Sequence, residues 1–187
     1  MPVNRATLTL VKKYEGLSLT AYPDPGYGWS IPTIGYGHTS DFYMKVTKGL
    51  TITEEAAADL LDHDLEETAA AIAPLVTVPL NENQLGALVS FTFNVGVPAF
   101  KRSTLLAKLN AGDFAAVADE FRRWNKSNGR VLKGLTRRRA EEASLFLLPA
   151  PAAVVDVPDA APASPGATGF KAFLIALFDM LKKVFRK

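Results

Sequence analysis

With 187 residues, the chain has room for one compact domain with a real core and some extra sequence, but not for two large domains. Hydrophobic residues at 48% and charged residues at 21% fit a soluble globular protein, and the lack of cysteine excludes disulfides, thiolate metal sites and a cysteine nucleophile, as suits folding in a reducing cytoplasm. The net charge of +2 is unevenly placed, with residues 1–148 neutral and residues 168–187 carrying five basic side chains against one acid; a neutral body argues against nucleic acid as a partner.

The first residues contain no long apolar run, so no signal peptide is expected. The first helix is predicted over residues 5–15. Asn4 caps it, Leu8, Val11 and Tyr14 give it one apolar face, and Gly16 stops it. From residue 17 to 48, aromatic and β-branched residues alternate with Gly and Pro, the texture of short strands joined by tight turns. Asp24-Pro25-Gly26 is a turn signal in its own right. Helical texture then takes over. Thr51 with Glu54 forms a capping-box pattern, and Thr53 is the competing cap. The helix behind them runs to about residue 73, ahead of Pro74, and buries Leu60, Leu61, Leu65 and Ile72.

Asn81 with Gln84 marks the next start, and the almost wholly apolar run 85–93 places that helix centrally in the core. Ser103 and Asp113 cap two shorter helices, reaching Leu109 and Trp124, and Asn128-Gly129 is a turn. The last helix of the body covers residues 135–146. Arg137 with Glu141 and Arg138 with Glu142 stand at i,i+4 spacing, worth about 0.2–0.5 kcal/mol per pair on a helix surface. Residues 149–169 hold Pro149, Pro151, Pro158, Pro162 and Pro165 among Ala, Ser and Gly. Such a stretch buries too little surface to offset ordering entropy, and an extended, mobile linker is expected there.

Residues 170–187 form a separate unit. Phe170, Phe173, Leu174, Leu177, Met180, Leu181, Val184 and Phe185 recur at three- and four-residue spacing, with Lys171, Lys182, Lys183, Arg186 and Lys187 toward the other side and the end. This is a basic amphipathic helix, too short and too charged to span a bilayer. Its expected partner is an anionic membrane or lipopolysaccharide surface, where each Lys or Arg adds about 1 kcal/mol. The competing expectation is that it docks on the body.

The chemistry is concentrated near the amino terminus. Glu15 closes the first helix, where backbone carbonyls make the local potential negative and favour a neutral acid. Tyr14 and Leu17 are expected to exclude water beside it. Asp24 lies in a turn with free backbone N–H groups, which favour an ionised carboxylate. Thr33 offers a hydroxyl able to hold a water. Two carboxyls in contrasting environments are what glycoside cleavage needs, one to protonate the leaving oxygen and one to act across the ring.

Several motifs then share a resemblance. They are Glu15-Gly16-Leu17, Ala21-Tyr22-Pro23-Asp24-Pro25-Gly26 and Thr33-Ile34-Gly35-Tyr36-Gly37-His38, followed by residues 84–96, Phe100-Lys101-Arg102-Ser103-Thr104-Leu105, Phe121-Arg122-Arg123-Trp124-Asn125 and residues 134–141. In this order they resemble the phage-type lysozymes, glycoside hydrolase family 24, over about residues 3–148. The resemblance implies an α+β, two-lobed lysozyme-like fold, with a small β-hairpin lobe and a larger helical lobe. It implies that Glu15 is the general acid, that Asp24 stabilises positive charge on the ring or aligns the attacking water, and that Thr33 helps hold that water. Asn94 and Ser90 are implied to face the cleft and bind sugar. His38 is implied to pair with Asp64 as a structural tie between lobes. One departure is that Asp24 and Thr33 stand nine apart, a longer gap than in the most familiar members. The insertion, residues 27–32, is expected to lengthen the hairpin tip, and Ser30 is an alternative hydroxyl.

The expected organisation is a catalytic domain over 1–148, a linker over 149–169 and a helix over 170–187. The expected function is a monomeric muramidase acting on peptidoglycan for host cell lysis, made in the host cytoplasm and acting in the periplasm. A lytic transglycosylase or chitinase on the same fold is the alternative within enzymes, and a non-enzymatic membrane-permeabilising protein the alternative outside them. No cofactor and no metal is expected. His38 and His63 are the two histidines of the chain, and a site joining them to Asp62 or Asp64 is the weaker reading. Arg122, Arg123, Lys126, Arg130, Lys133 and Arg137 to Arg139 form a basic region, suited either to anionic wall polymers or to solvation alone. Trp29 and Trp124 are open between core and cleft.

Overall fold

Helix α1, Arg5–Glu15, begins where Asn4 Oδ1 accepts from the Thr7 backbone N–H at 3.0 Å. It ends at Gly16, whose φ of 70° suits glycine and closes the helix with Glu15 as its last residue. In this computed structural model the chain is described over residues 3–150. The linker from residue 151 and the amphipathic unit 170–187 lie outside the described residues.

Three antiparallel strands follow in the order β1, Ser18–Asp24, β2, Gly28–Gly35, and β3, His38–Thr39. The register sets Thr33 opposite Tyr22 on one side and Thr39 on the other. Pro23 faces Pro32 while Asp24 faces Gly28, so Trp29, Ser30 and Ile31 form a bulge within β2. The insertion thus goes into a strand rather than into a longer tip. Thr33 keeps its place opposite Tyr22 because the bulge absorbs the extra residues.

Helix α2, Glu54–Ile72, is capped by Thr53, whose hydroxyl accepts from Ala56 N at 3.2 Å. Thr51, the other candidate, is instead bridged to Thr20 of β1. Two adjacent leucines of α2 serve two cores. Leu60 packs with Ala21, Ile34 and Val46 in the small lobe, while Leu61 and Leu65 belong to the large helical core.

After a short 3₁₀ turn, Ala73–Leu75, helix α3, Glu82–Val95, starts with a full capping box between Asn81 and Gln84. Its residues 86–92 are all buried, which makes it the central helix. Gly86 lets α3 approach α1 closely: a Cβ there would lie 1.9 Å from Thr7 Oγ1 and 3.2 Å from Thr7 Cβ. That hydroxyl donates to the capping Asn4 Oδ1 at 2.8 Å, so it has no free rotamer to yield into. Gly86→Ala should therefore destabilise the fold by about 1–3 kcal/mol, readable in urea unfolding as a lower midpoint at unchanged slope.

The remaining helices are α4, Val97–Lys101, α5, Thr104–Asn110, and α6, Phe114–Arg123. A two-stranded hairpin follows, β4, Lys126–Ser127, and β5, Arg130–Val131, before α7, Lys133–Leu147. The hairpin turns through Asn128 and Gly129 at φ 49° and 76°, the backbone that an Asn-Gly pair favours. Phe91 of α3 meets Phe121 and Trp124 edge-on at 5.4 and 5.3 Å, which settles Trp124 as a core residue. Trp29 lies 42% exposed on β2 with Lys48 Nζ 5.2 Å above its ring. The architecture is α+β: a small antiparallel sheet lobe and a larger helical lobe joined through α2.

Candidate active site

Glu15 is held at the end of α1 by a cation from the far end of the body. Arg138 Nη1 of α7 donates to Glu15 Oε1 at 2.5 Å, and the Glu15 side chain remains 21% exposed. The same guanidinium donates through Nε to Glu142 Oε1 at 3.1 Å and through Nη2 to the Ser90 carbonyl at 3.2 Å. Glu142 is fully buried and also accepts from Ser90 Oγ at 2.8 Å and Arg139 Nη2 at 3.1 Å. Arg139 Nη2 reaches on to Asn94 Oδ1 at 3.0 Å. Fully buried Glu142 and half-buried Glu15 are thus linked through two buried guanidiniums across α1, α3 and α7. Burial pulls Arg139 down to about 10, still protonated at neutral pH. Burial also pushes Glu142 up, and the guanidiniums of Arg139 and Arg138 oppose it.

Three expectations change here. Leu17 is 40% exposed, so the close neighbour of Glu15 is Arg138 rather than an apolar wall. Ser90 is fully buried, its hydroxyl given to Glu142 and its carbonyl taken by Arg138, so it has no group to offer a sugar. Arg138 with Glu142 is not a solvated surface pair, and Glu141 bonds Lys13 and Tyr14, both at 2.7 Å. Arg138 and Arg139 also leave the basic surface, where Arg122 and Arg123 pair with Asp119 and Glu120. Asn94, one helical turn beyond Ser90, is exposed.

Asp24 ends β1. Its Oδ1 accepts from the backbone N–H groups of Gly26 and Tyr27 at 2.7 and 2.9 Å, so the turn fixes the carboxylate. Thr33 is buried at 5% exposure, and its hydroxyl donates to the Ile31 carbonyl at 3.3 Å, a long bond that a better acceptor can replace. Ser30 is exposed in the bulge. Tyr22 ties these groups together. Its phenol is pushed up, first by burial and then by the negative charges of Glu15 and Asp24. Both acids therefore lie within electrostatic reach of one ring, and Thr33 stands opposite that ring in the sheet.

His38 Nδ1 lies 2.8 and 3.1 Å from the two oxygens of Asp64, joining β3 to α2. These residues border a pocket of about 360 Å³ between β3 and the helices α2 and α3, which Thr39 and Phe93 also line. Glu15, Asp24 and Thr33 do not line it, but Thr39 is the sheet partner of Thr33, so the pocket begins one strand away from Thr33. Burial lowers His38, but the bond to Asp64 and the charges of Asp64 and Asp41 outweigh it, and the net shift is upward. The stabilisation is complete below the ordinary histidine value and is lost as pH rises through the raised one. The difference in Tm between the wild type and His38→Gln should therefore be largest near pH 5–6 and shrink on the alkaline side.

The phage lysozyme family model matches residues 12–142, a span that contains every one of these side chains. The chain belongs to the phage lysozyme family. The endolysin of Salmonella phage P22 is 43% identical over 148 residues, covering 79% of this chain and 99% of the relative. The endolysin of Bacillus phage B103 is 43% identical over 150 residues, 79% of this chain but 54% of the relative, so the chain spans about half that protein's length. Among solved structures, the muramidase domain of SpmX from Asticaccaulis excentricus superposes with a TM-score of 0.70 at 41% identity, covering 79% of this chain and 98% of that one. The lysozyme-like fold is thereby established.

Within this phage lysozyme frame, the sequence reading did not assign Tyr22, Arg138 or Glu142 to the site. A signal existed for two of them. Arg138, Glu142 and Phe146 share an i, i+4, i+8 stripe, and Phe146 is a core residue. Two charges on the stripe that buries a phenylalanine must be paired inside the protein.

Proposed function

We propose that the chain is a muramidase that cleaves the β-1,4 bond between N-acetylmuramic acid and N-acetylglucosamine in peptidoglycan, for lysis of the host. The names of the relatives support this reading, endolysin for the phage proteins and muramidase domain for the solved structure. The observation that carries it is that Tyr22 feels the charges of both Glu15 and Asp24 and has Thr33 as its partner across the sheet.

Glu15 gives its proton to the glycosidic oxygen as the bond to the anomeric carbon breaks. Arg138, sharing its charge with Glu142, holds this carboxyl in place. Asp24 stands across the ring, where it stabilises the developing positive charge and aligns a water. Thr33 holds that water as it attacks the opposite face, and its proton leaves toward Asp24. The configuration inverts, which calls for carboxyls about 6.5–9.5 Å apart. Asn94, exposed beyond the buried network, offers its amide to a sugar.

Product analysis of digested peptidoglycan tests the reaction. Reducing muramic ends support hydrolysis, whereas anhydro ends would transfer the assignment to a transglycosylase. The enzyme works as a monomer, without a cofactor, on a substrate outside the cytoplasmic membrane. It is made in the host cytoplasm and reaches that substrate in the periplasm.

Residues 170–187 are proposed as a membrane-binding helix for an anionic or lipopolysaccharide surface. The support is their sequence pattern, with lysines and arginines set against phenylalanines and leucines. A peptide of residues 169–187 should gain helicity by circular dichroism on anionic vesicles and not on neutral ones. An unchanged spectrum favours docking on the body instead.

A further inference from the structure

We propose that Asp41, His63 and Glu67 bind one divalent transition-metal ion of the zinc class, which fastens the loop after β3 to helix α2 at the rim of the pocket. The sequence reading considered the two histidines with Asp62 or Asp64. The fold instead turns His63 toward Asp41 and Glu67, while His38 is taken by Asp64. His63 Nε2 lies 3.2 Å from Asp41 Oδ2 and 3.6 Å from Glu67 Oε1. A tetrahedral ion with bonds of about 2.0–2.1 Å sets its ligand atoms about 3.4 Å apart, so these spacings fit around one ion with little movement. Three protein ligands leave a fourth position for water. Two carboxylates neutralise a divalent charge, and the imidazole selects zinc-like ions over calcium or magnesium.

The ligands are oriented before any ion arrives. Asp41 Oδ1 accepts from the backbone N–H groups of Tyr43 and Met44 at 2.8 and 2.7 Å, which leaves Oδ2 toward His63. The His63 ring stacks on Tyr43 with centroids 4.2 Å apart, and Glu67 follows one turn later on α2. A separate observation points to the same place. His38 is 3% exposed, and its buried Nε2 lies 3.7 Å from Asp41 Oδ1, with the Met44 backbone as its other neighbour. Anchored by Asp64 on its other nitrogen, this imidazole is positioned as the outer partner of a metal-bound carboxylate. Asp41 and Glu67 both line the pocket, so the ion would stiffen its wall where the small lobe meets α2.

The test is a titration of the full chain with Co²⁺, followed by Zn²⁺. The chain has no cysteine, and the second histidine is buried against Asp64, so the response reports on His63. The expected result is one equivalent of Co²⁺ with visible absorption bands of low-symmetry coordination, displaced by Zn²⁺. Zn²⁺ should raise Tm in a saturable way, and Mg²⁺ at the same concentration should not. Outer-sphere partners alone are worth about 10–100-fold in metal affinity, so His63→Ala, which removes a direct ligand, should lose at least about 100-fold. Glu67→Gln should weaken binding while leaving the apo Tm unchanged. No saturable binding, or binding unaltered in both variants, overturns the proposal and leaves the cluster as directly contacting side chains with no ion between them.

Discussion

Glu15→Gln should lower the rate of peptidoglycan cleavage by about 10²–10⁴-fold, the usual worth of a positioned proton donor. The substitution keeps the size of the side chain and lets its carbonyl accept from Arg138, but it removes the transferable proton. Arg138 retains Glu142 and the Ser90 carbonyl, so the guanidinium is not stranded. The variant should therefore fold with a near-native circular dichroism spectrum. Release of reducing ends from purified sacculi is the measurement, with vesicle leakage recorded in parallel. Any vesicle leakage should persist, since the substitution leaves residues 170–187 unchanged. A variant that still clears cell walls would remove the catalytic assignment, whatever became of the membrane reading.

The second large effect is on stability. Glu142→Ala should cost about 3–5 kcal/mol, since it strips the shared anion from two buried guanidiniums. The Arg138 and Arg139 side chains are 3% and 0% exposed, so water cannot replace the carboxylate without opening the core between α3 and α7. Ser90 loses its acceptor in the same step. At about 2–4 °C per kcal/mol for a domain of this size, Tm should fall by about 6–20 °C. Glu142→Gln, which keeps acceptor and volume but not charge, should fall between the wild type and the alanine variant. Activity should also drop below the melting range, because Arg138 is the group that fixes Glu15. An alanine variant within 1 kcal/mol of the wild type, read from denaturant midpoints, would mean that the two arginines do not need their common partner.

What could be read from the chain was local. Asn4, Asn81, Ser103 and Asp113 all cap the helices that their side chains predicted, because a cap is decided within four residues. Gly16 fixed the end of α1, and with it the position of Glu15 at the helix terminus. The apolar run 85–93 announced a central helix. The misreadings depended on what came from elsewhere. Five-residue α4, wedged between Gly96 and Arg102, has too little periodicity to show. Ser90 looked like a cleft residue until Glu142, fifty-two positions later, took its hydroxyl. The bulge at Trp29 to Ile31 was invisible because register is decided by the partner strand. Asp41 and His63 belong to a loop and a helix with no local rule to join them.

The adjacent leucines of α2 bear on how the polypeptide matures. The sheet lobe closes around Ala21, Ile34 and Val46, and its remaining large buried side chain, Leu60, arrives on a helix that belongs equally to the other lobe. The segment holding Glu15, Asp24 and Thr33 has no sealed interior of its own. During synthesis it must wait for α2 to emerge, and a nascent polypeptide halted short of residue 60 should remain sensitive to proteases and inert toward cell walls.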